Sequence, residues 1–185
     1  MRKVLNSELN RISIEEFKTS NKITLVVVLD DIRSLMNIGS VFRTSDAYLV
    51  QQIHLCGITA TPPHREIQKT ALGATESVDW VYFKDINESV NSLKKQGFTI
   101  YAIEQADDSI LLEDLKINPQ DKIAVIFGNE IKGVSDSILN DIHGCIELPQ
   151  FGTKHSLNIS VCAGIVIYNL FNKLHFTSTN QAQIL

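Results

Sequence analysis

The chain has 185 residues, of which 44% are hydrophobic and 21% are charged, and its formal net charge is −4 at pH 7. This length suits one well-buried domain and is short for two. The acidic balance argues against a non-specific nucleic-acid binder, whose affinity comes largely from neutralising phosphates, but it leaves room for a local basic patch.

The sequence contains no apolar run long enough to span a bilayer, and residues 1–17 carry scattered charges where a secretory signal would be apolar. We therefore expect a cytoplasmic protein with no membrane segment. The cysteines, Cys56, Cys145 and Cys162, lack C-x-x-C spacing and have apolar neighbours, which is typical of buried reduced thiols. Neither a disulfide framework nor a metal site is predicted.

The first predicted element is a strand over residues 23–30, whose nearly uninterrupted apolar and β-branched run is typical of a central parallel strand covered on both faces. A helix follows over residues 37–48, with Asn37 where an N-cap is expected. Next come a short strand over residues 52–57 and a turn over residues 59–66, in which two prolines exclude regular structure.

A third strand over residues 78–83 precedes a helix over residues 85–97 that has one apolar stripe and ends in glycine. Strands over residues 99–104 and 122–129 flank a segment, residues 109–119, that we expect to cross the sheet edge. The last predicted elements are a short helix over residues 135–142, a strand over residues 145–149 and a helix over residues 156–174.

Strands that alternate with helices predict a single α/β domain with a mostly parallel sheet flanked by helices. We place this domain at residues 21–175, after an N-terminal extension over residues 1–20 that we expect to be helical. Residues 176–185 are predicted to form a C-terminal tail.

Three polar turns follow apolar strands and precede helices, and they contain Asn37, Gly128 and Asn158 respectively. In open α/β sheets, ligands bind beyond the carboxyl ends of the strands, so we expect these turns to form one site. The sequence lacks the G-x-G-x-x-G, G-x-x-x-x-G-K-[ST] and G-x-S-x-G patterns. Ordinary dinucleotide, nucleoside triphosphatase and hydrolase chemistry are therefore disfavoured.

Three ordered blocks in these turns carry a resemblance to a known family. They are Asn37-x-Gly39-x-x-x-Arg43-Thr44, then Phe127-Gly128-Asn129-Glu130, then Ile146-x-Leu148-Pro149 leading to Ser156-Leu157-Asn158. The chain resembles the SpoU-type (TrmH-like) RNA ribose 2′-O-methyltransferases of the SPOUT superfamily over roughly residues 25–170. KTALGA, residues 69–74, also looks like this family.

The resemblance implies a C-terminal deep trefoil knot, here over about residues 146–169, which is an exception to the rule that protein chains are not knotted. It implies a homodimer whose sites borrow residues from both subunits. Apolar residues of the last helix would then serve both the core and the interface: Ile165, Val166, Ile167, Leu170 and Phe171.

The resemblance also implies S-adenosylmethionine as the methyl donor, held in a bent form. The expected cofactor-binding residues are Phe127, Gly128, Ile146, Leu148 and Leu157. The substrate would be a structured RNA, and both transfer RNA and ribosomal RNA stay open. The expected RNA contacts are the basic residues Arg33, Arg65, Lys69, Lys154 and His155.

Arg43 is the first catalytic candidate that the resemblance implies. A guanidinium holds its proton tightly and is a poor general base, so we expect it to hold an RNA phosphate and stabilise the developing alkoxide. The other expected catalytic residues are Asn37, Glu130, Ser156 and Asn158.

Each of these side chains also has a purely structural interpretation. Asn37, Ser156 and Asn158 are suited to capping helices, and Glu130 could pair with Lys132 or Arg43. At the level of the whole protein, two alternatives stay open beside ribose methylation. One is a SPOUT protein that binds RNA or S-adenosylmethionine without turnover, and the other is an RNA base methyltransferase.

Overall fold

The computed structural model describes residues 1–5 and 8–175, so the predicted tail at residues 176–185 lies outside the described residues. The strands are β1 (Ile23–Asp30), β2 (Val50–Cys56), β3 (Trp80–Phe83), β4 (Thr99–Ile103), β5 (Ile110–Leu111), β6 (Ile123–Phe127) and β7 (Gly144–Glu147). The helices are α1 (Ile14–Thr19), α2 (Leu35–Ala47), α3 (Arg65–Ala71), α4 (Ala74–Ser77), α5 (Ile86–Lys95) and α6 (Ile159–His175), with a 3₁₀ helix over Asp136–Asp141.

The described strands form one seven-stranded sheet in the order β3-β2-β1-β6-β4-β7-β5. Every neighbouring pair is parallel, which confirms the predicted α/β fold and makes the sheet wholly parallel. Its carboxyl ends therefore all lie at one edge, where ligands bind in sheets of this kind.

Strand β1 is central and is covered on both faces, as its apolar run predicted. Leu25, Val27 and Leu29 pack in the cluster that includes buried residues of α2 and α6. Val26 and Val28 point to the opposite face and pack in the cluster that includes α5. Because successive side chains of a strand point to opposite faces, β1 contributes to the cores on both sides of the sheet, and every position can be apolar.

Helices α3 and α4 were not predicted, and for α3 the reason is that the two prolines of the 59–66 turn disfavour regular structure at its first residues. Helix α3 starts within that predicted turn, at Arg65. It packs closely on α2, since a Cβ at Gly39 would lie 2.2 Å from both the Ile67 carbonyl oxygen and Thr70 Oγ1. Thr70 Oγ1 also donates to the Met36 carbonyl oxygen at 2.9 Å, which fixes the two helices together.

Both helices that carry motif residues begin at positions other than those predicted. Ser34 caps α2 by accepting from the backbone N–H of Asn37, so the prediction that Asn37 is the N-cap was wrong. This leaves the Asn37 side chain available for other contacts. Helix α6 begins at Ile159 rather than Ser156, and Asn158 Oδ1 accepts from the backbone N–H of Ser160 at 2.9 Å.

Helix α6 has one face that is buried in the core and one exposed face that carries an apolar stripe. Val166, Ile167 and Leu170 are fully buried, so they belong to the core and have no surface left for an interface. Ile165 is 43% exposed, and it shares a helix face with Val161 and Tyr168, each 53% exposed. None of the helices within the described ranges is both long and apolar enough to cross a membrane.

A buried histidine lies in β2, on the α5 side of the sheet. His54 is 1% exposed, and its Nδ1 lies 2.7 Å from Ser89 Oγ while its Nε2 lies 3.1 Å from Gln52 Oε1. Burial lowers the pKa of His54 to about 4, because the charged imidazolium would lose its hydration. The ring is therefore neutral at physiological pH.

Candidate functional site

A cleft of about 230 Å³ opens at the carboxyl ends of β4, β6 and β7. Its apolar walls come from Ile103, Phe127, Ile146 and Leu148, and its rim from the segment before α6. The cleft is lined by all five residues predicted to bind the cofactor: Phe127, Gly128, Ile146, Leu148 and Leu157. The structure thus brings this set together, although it is drawn from three separate segments.

One wall of the cleft is bare backbone, because the loop after β6 folds back on itself. Asn129 and Gly133 exchange two backbone hydrogen bonds, each 2.9 Å long. A Cβ at Gly128 would lie 2.2 Å from the Gly133 carbonyl carbon and the Val134 nitrogen, so only glycine permits this approach. The Asn129 side chain donates to the Asp31 carbonyl oxygen at 2.7 Å and ties the loop to the end of β1.

Glu130, in the same loop, clamps the segment that leads into α2. Its carboxylate accepts from the backbone N–H groups of Arg33 and Ser34, each at 3.1 Å. Asn37 Nδ2 also donates to Glu130 Oε1, at 3.3 Å. The alternative in which Glu130 pairs with Lys132 or Arg43 is wrong. Within the described residues, the Glu130 carboxylate accepts the hydrogen bonds above and forms no ion pair.

These contacts decide the protonation state of Glu130. Burial raises the pKa of this carboxyl, but hydrogen bonds from the backbone N–H groups of Arg33, Glu130 itself and Ser34, and from the Asn37 side chain, outweigh it. The pKa is therefore below its ordinary value, and the group is ionised at neutral pH. An ionised carboxylate with its lone pairs engaged is suited to holding a loop in place.

A second side-chain contact extends this arrangement to α6. Asn158 Nδ2 donates to Asn37 Oδ1 at 3.3 Å, while Asn158 Oδ1 accepts from the backbone and hydroxyl of Ser160. Asn158 therefore caps α6 and contacts Asn37 at the same time. Glu130, Asn37 and Asn158, one from each motif block, form a continuous hydrogen-bonded chain beside the cleft.

Arg43 is exposed on α2. Within the described residues its side chain forms no hydrogen bond or ion pair, so it is available to an external anion. It follows Asn37 by six positions, which places it about 9 Å along the helix and about 120° around it. The chain therefore presents Arg43 on a different face of α2 from Asn37.

The other predicted site residues are divided between the cleft and its surroundings. Ser156 and His155 are exposed and line the cleft, and Lys154 is exposed beside them. Arg33 is exposed just before α2. Arg65 and Lys69 lie on α3 and are not among the described residues that line the cleft, and Lys69 Nζ contacts Glu66 at 2.7 Å.

Sequence reasoning missed two polar residues of the cleft, Glu104 and Gln105, which follow β4. Gln105 Nε2 donates to the His155 carbonyl oxygen at 3.3 Å and so ties this strand end to the segment before α6. Their position at the end of the strand predicted over residues 99–104 was the available signal, because the carboxyl end of that strand meets the same edge of the sheet. Across the described part of the chain, no group of three or more His, Cys, Asp or Glu residues could hold a metal ion.

Comparison with known proteins agrees with this geometry. The model of the SpoU rRNA methylase family matches residues 24–168. A tRNA (guanosine(18)-2′-O)-methyltransferase of Thermus thermophilus is 31% identical over 165 residues, which cover 88% of this chain and 81% of that protein. An uncharacterised tRNA/rRNA methyltransferase of Borreliella burgdorferi is 31% identical over 162 residues, or 88% of this chain and 69% of that protein.

Solved structures share the fold. The A. aeolicus TrmH/SpoU tRNA modifying enzyme superposes with a TM-score of 0.76 at 22% identity, over 86% of this chain and 80% of that one. A structure described as giving insight into 2-OH methylation of C/U34 on tRNA superposes with a TM-score of 0.70, over 81% of this chain and 95% of that one. With the family model spanning the motif blocks and the cleft between them, the chain belongs to the SpoU rRNA methylase family.

Proposed function

We propose that this protein transfers a methyl group from S-adenosylmethionine to a ribose 2′-hydroxyl of a structured RNA, either a transfer RNA or a ribosomal RNA. The observation that carries the proposal is the hydrogen-bonded chain of Glu130, Asn37 and Asn158 beside the cleft. These residues come from the three motif blocks of the family. Arg43 has no side-chain partner within the described residues and lies on the same helix as Asn37, which favours turnover over binding alone.

The cleft fits the cofactor in shape and chemistry. Its apolar walls suit an adenine ring, and the backbone of Gly128 and Gly133 lines the cleft beside them. Its volume of about 230 Å³ lies just below the ~300 Å³ at which small-molecule sites usually begin. When bound, S-adenosylmethionine would supply an electrophilic sulfonium methyl group.

The side chains around the cleft would then act on the RNA. Arg43 holds a phosphate and stabilises negative charge as it develops on the 2′-oxygen. Asn37 and Ser156 orient the ribose, while Glu130 and Asn158 hold Asn37 in position. Exposed basic residues receive the RNA backbone: Arg33, Arg65, Lys69, Lys154 and His155. Transfer RNA and ribosomal RNA are cytoplasmic substrates, and we place the enzyme there.

We also propose a homodimer in which α6 contributes to the interface. The support is the exposed apolar stripe of Val161, Ile165 and Tyr168 on that helix. Arg43 provides a second argument, since one chain presents it on a different face of α2 from Asn37. A site that takes Arg43 from the partner resolves this separation. The proposed trefoil knot over about residues 146–169 would hold the cleft-lining residues of β7 and α6 together.

The test is to incubate the purified protein with methyl-labelled S-adenosylmethionine and total RNA, and then to digest the RNA to nucleosides. Label in a 2′-O-methyl nucleoside is expected. Label in a methylated base would instead identify a base methyltransferase. Absence of label from every RNA fraction, under conditions where the cofactor binds, would identify a binding protein without turnover.

A further inference from the structure

Glu104 directly follows β4 and reaches into the cleft beneath the loop after β6. Its Oε1 accepts from the backbone N–H of Gln105 at 3.0 Å, and its Oε2 accepts from that of Val134 at 3.2 Å. A Cβ at Gly133 would lie 2.3 Å from Glu104 Oε2. Glycine at position 133 therefore leaves the space that the carboxylate occupies.

The carboxylate retains capacity for further hydrogen bonds. A carboxylate has about four lone-pair positions, and the contacts above use two of them. Glu104 is half-buried, and no Lys, Arg or His side chain in the described ranges forms an ion pair with it. An acidic group in a cleft with apolar walls is costly to bury unless donors reach it, and here a ligand can supply them.

We infer that Glu104 binds the ribose hydroxyls of the cofactor and so selects a nucleoside with an intact diol. The inference rests on the proposed function, because it assumes that the cleft takes S-adenosylmethionine. Two adjacent hydroxyls match the two oxygens of a carboxylate, and acidic side chains near strand ends bind ribose hydroxyls in other α/β folds. The apolar walls formed by Phe127, Ile146 and Leu148 are left for the adenine ring.

The test uses the intact protein, the variant Glu104→Gln and isothermal titration calorimetry. Glutamine has the same shape and keeps one oxygen that can accept from Val134, so the loop should keep its conformation. The probes are 5′-methylthioadenosine, which lacks the sulfonium and the amino-acid group, and its 2′,3′-dideoxy analogue. Glu76→Gln, an exposed carboxylate on α4, is the matched control, and thermal unfolding checks that each variant is folded.

Wild-type protein should bind 5′-methylthioadenosine at least about tenfold more tightly than the dideoxy analogue, the usual effect of a charge-assisted hydrogen bond. In Glu104→Gln this preference should fall to about twofold, whereas Glu76→Gln should keep it. A variant that retains the full preference would overturn the inference.

Two other results would also overturn it and would identify the error. If Glu104→Gln weakens binding of S-adenosylmethionine but leaves 5′-methylthioadenosine unchanged, the carboxylate attracts the positive sulfonium or ammonium group. If the wild-type protein binds none of the adenosine ligands, the proposed cofactor is wrong and the assignment of Glu104 is wrong with it.

Discussion

Asn158 donates its side-chain amide to Asn37 Oδ1 at 3.3 Å, although the two residues are 121 positions apart in the chain. Asn37 in turn donates to Glu130. Each of these polar groups is accessible to water, so the contacts add modestly to stability. Their main effect is to set the relative positions of α2, α6 and the loop after β6.

Replacing Glu130 with alanine should therefore impair activity more than stability. The backbone N–H groups of Arg33 and Ser34 would lose their acceptor but could bind water, so we expect a loss of about 1 kcal/mol in the free energy of unfolding. Methyl transfer should fall by about tenfold or more, because Asn37 loses its partner. Urea unfolding and a labelled-methyl assay measure the two effects, with exposed Glu113→Ala as control; equal methyl transfer in both variants would contradict the prediction.

Arg43→Ala should abolish most methyl transfer while leaving cofactor binding within about twofold of wild type. Loss of a group that stabilises developing charge typically costs a factor of about 100 or more. Arg43→Lys should recover part of the activity, because lysine keeps the charge but lacks the planar fork of the guanidinium. Turnover with RNA and calorimetry with S-adenosylhomocysteine separate the two effects, and Arg11→Ala is the matched control. Near-normal turnover in Arg43→Ala would remove this residue from the mechanism.

Gly128→Ala should destabilise the protein by about 3 kcal/mol or prevent folding, because its Cβ would overlap backbone atoms that have no room to move. Gly152→Ala is the matched control, since a Cβ at Gly152 meets no atom within 4 Å. That change should alter stability by less than about 0.5 kcal/mol. Chemical unfolding of both variants provides the comparison, and similar stabilities would show that the loop relaxes more easily than its contacts indicate.

His54 should make the protein less stable as the pH falls from about 6.5 towards 4. The folded-state pKa of about 4 lies below the ordinary value of 6.5, so in this range the unfolded chain binds a proton that the folded protein excludes. The difference corresponds to about 3 kcal/mol at its full extent. Urea unfolding of wild type and His54→Asn across this pH range measures it. The variant should lose this part of the pH dependence, exposed His155→Asn should keep it, and parallel curves for all three proteins would contradict the assignment.

Ile165→Asp should convert the proposed homodimer into a monomer, because it places a charge in the apolar stripe of α6. Ile58, which is 65% exposed and lies outside that helix, provides the control Ile58→Asp. Light scattering coupled to size-exclusion chromatography gives the molar mass directly. A dimer that survives Ile165→Asp with unchanged affinity would place the interface on another surface.

The sequence predicted those parts of the fold whose patterns are local. The apolar run of β1 was interpretable because both of its faces are buried, and the motif at Phe127 and Gly128 identified the cleft. Helix α3, which begins within the proline-containing turn, also lacks a periodic pattern, because its buried residues are only Ile67 and Ala71. Its position depends on the close approach to Gly39, which is a contact between distant segments.

The errors in the site have two different causes. Asn37 was taken for a helix cap because its residue type suits one, yet Ser34 lies three positions earlier and takes that role. Glu104 carries no motif, and one of its two backbone partners, Val134, is 30 positions away in the chain. The residues that a motif names could be predicted, whereas the contacts that orient them depend on the assembled sheet.

The pairing of β1 with β6 has a consequence for the order of folding during synthesis. Leu25 lies beside Ile123, so almost a hundred further residues must be synthesised after Leu25 before β1 can pair with β6. Such distant pairings close large loops and slow folding. Asn158 emerges from the ribosome later still, so the polar chain that it completes cannot form until all seven described strands have been synthesised. A nascent chain can therefore hold most of its sheet before it has any competent site for RNA.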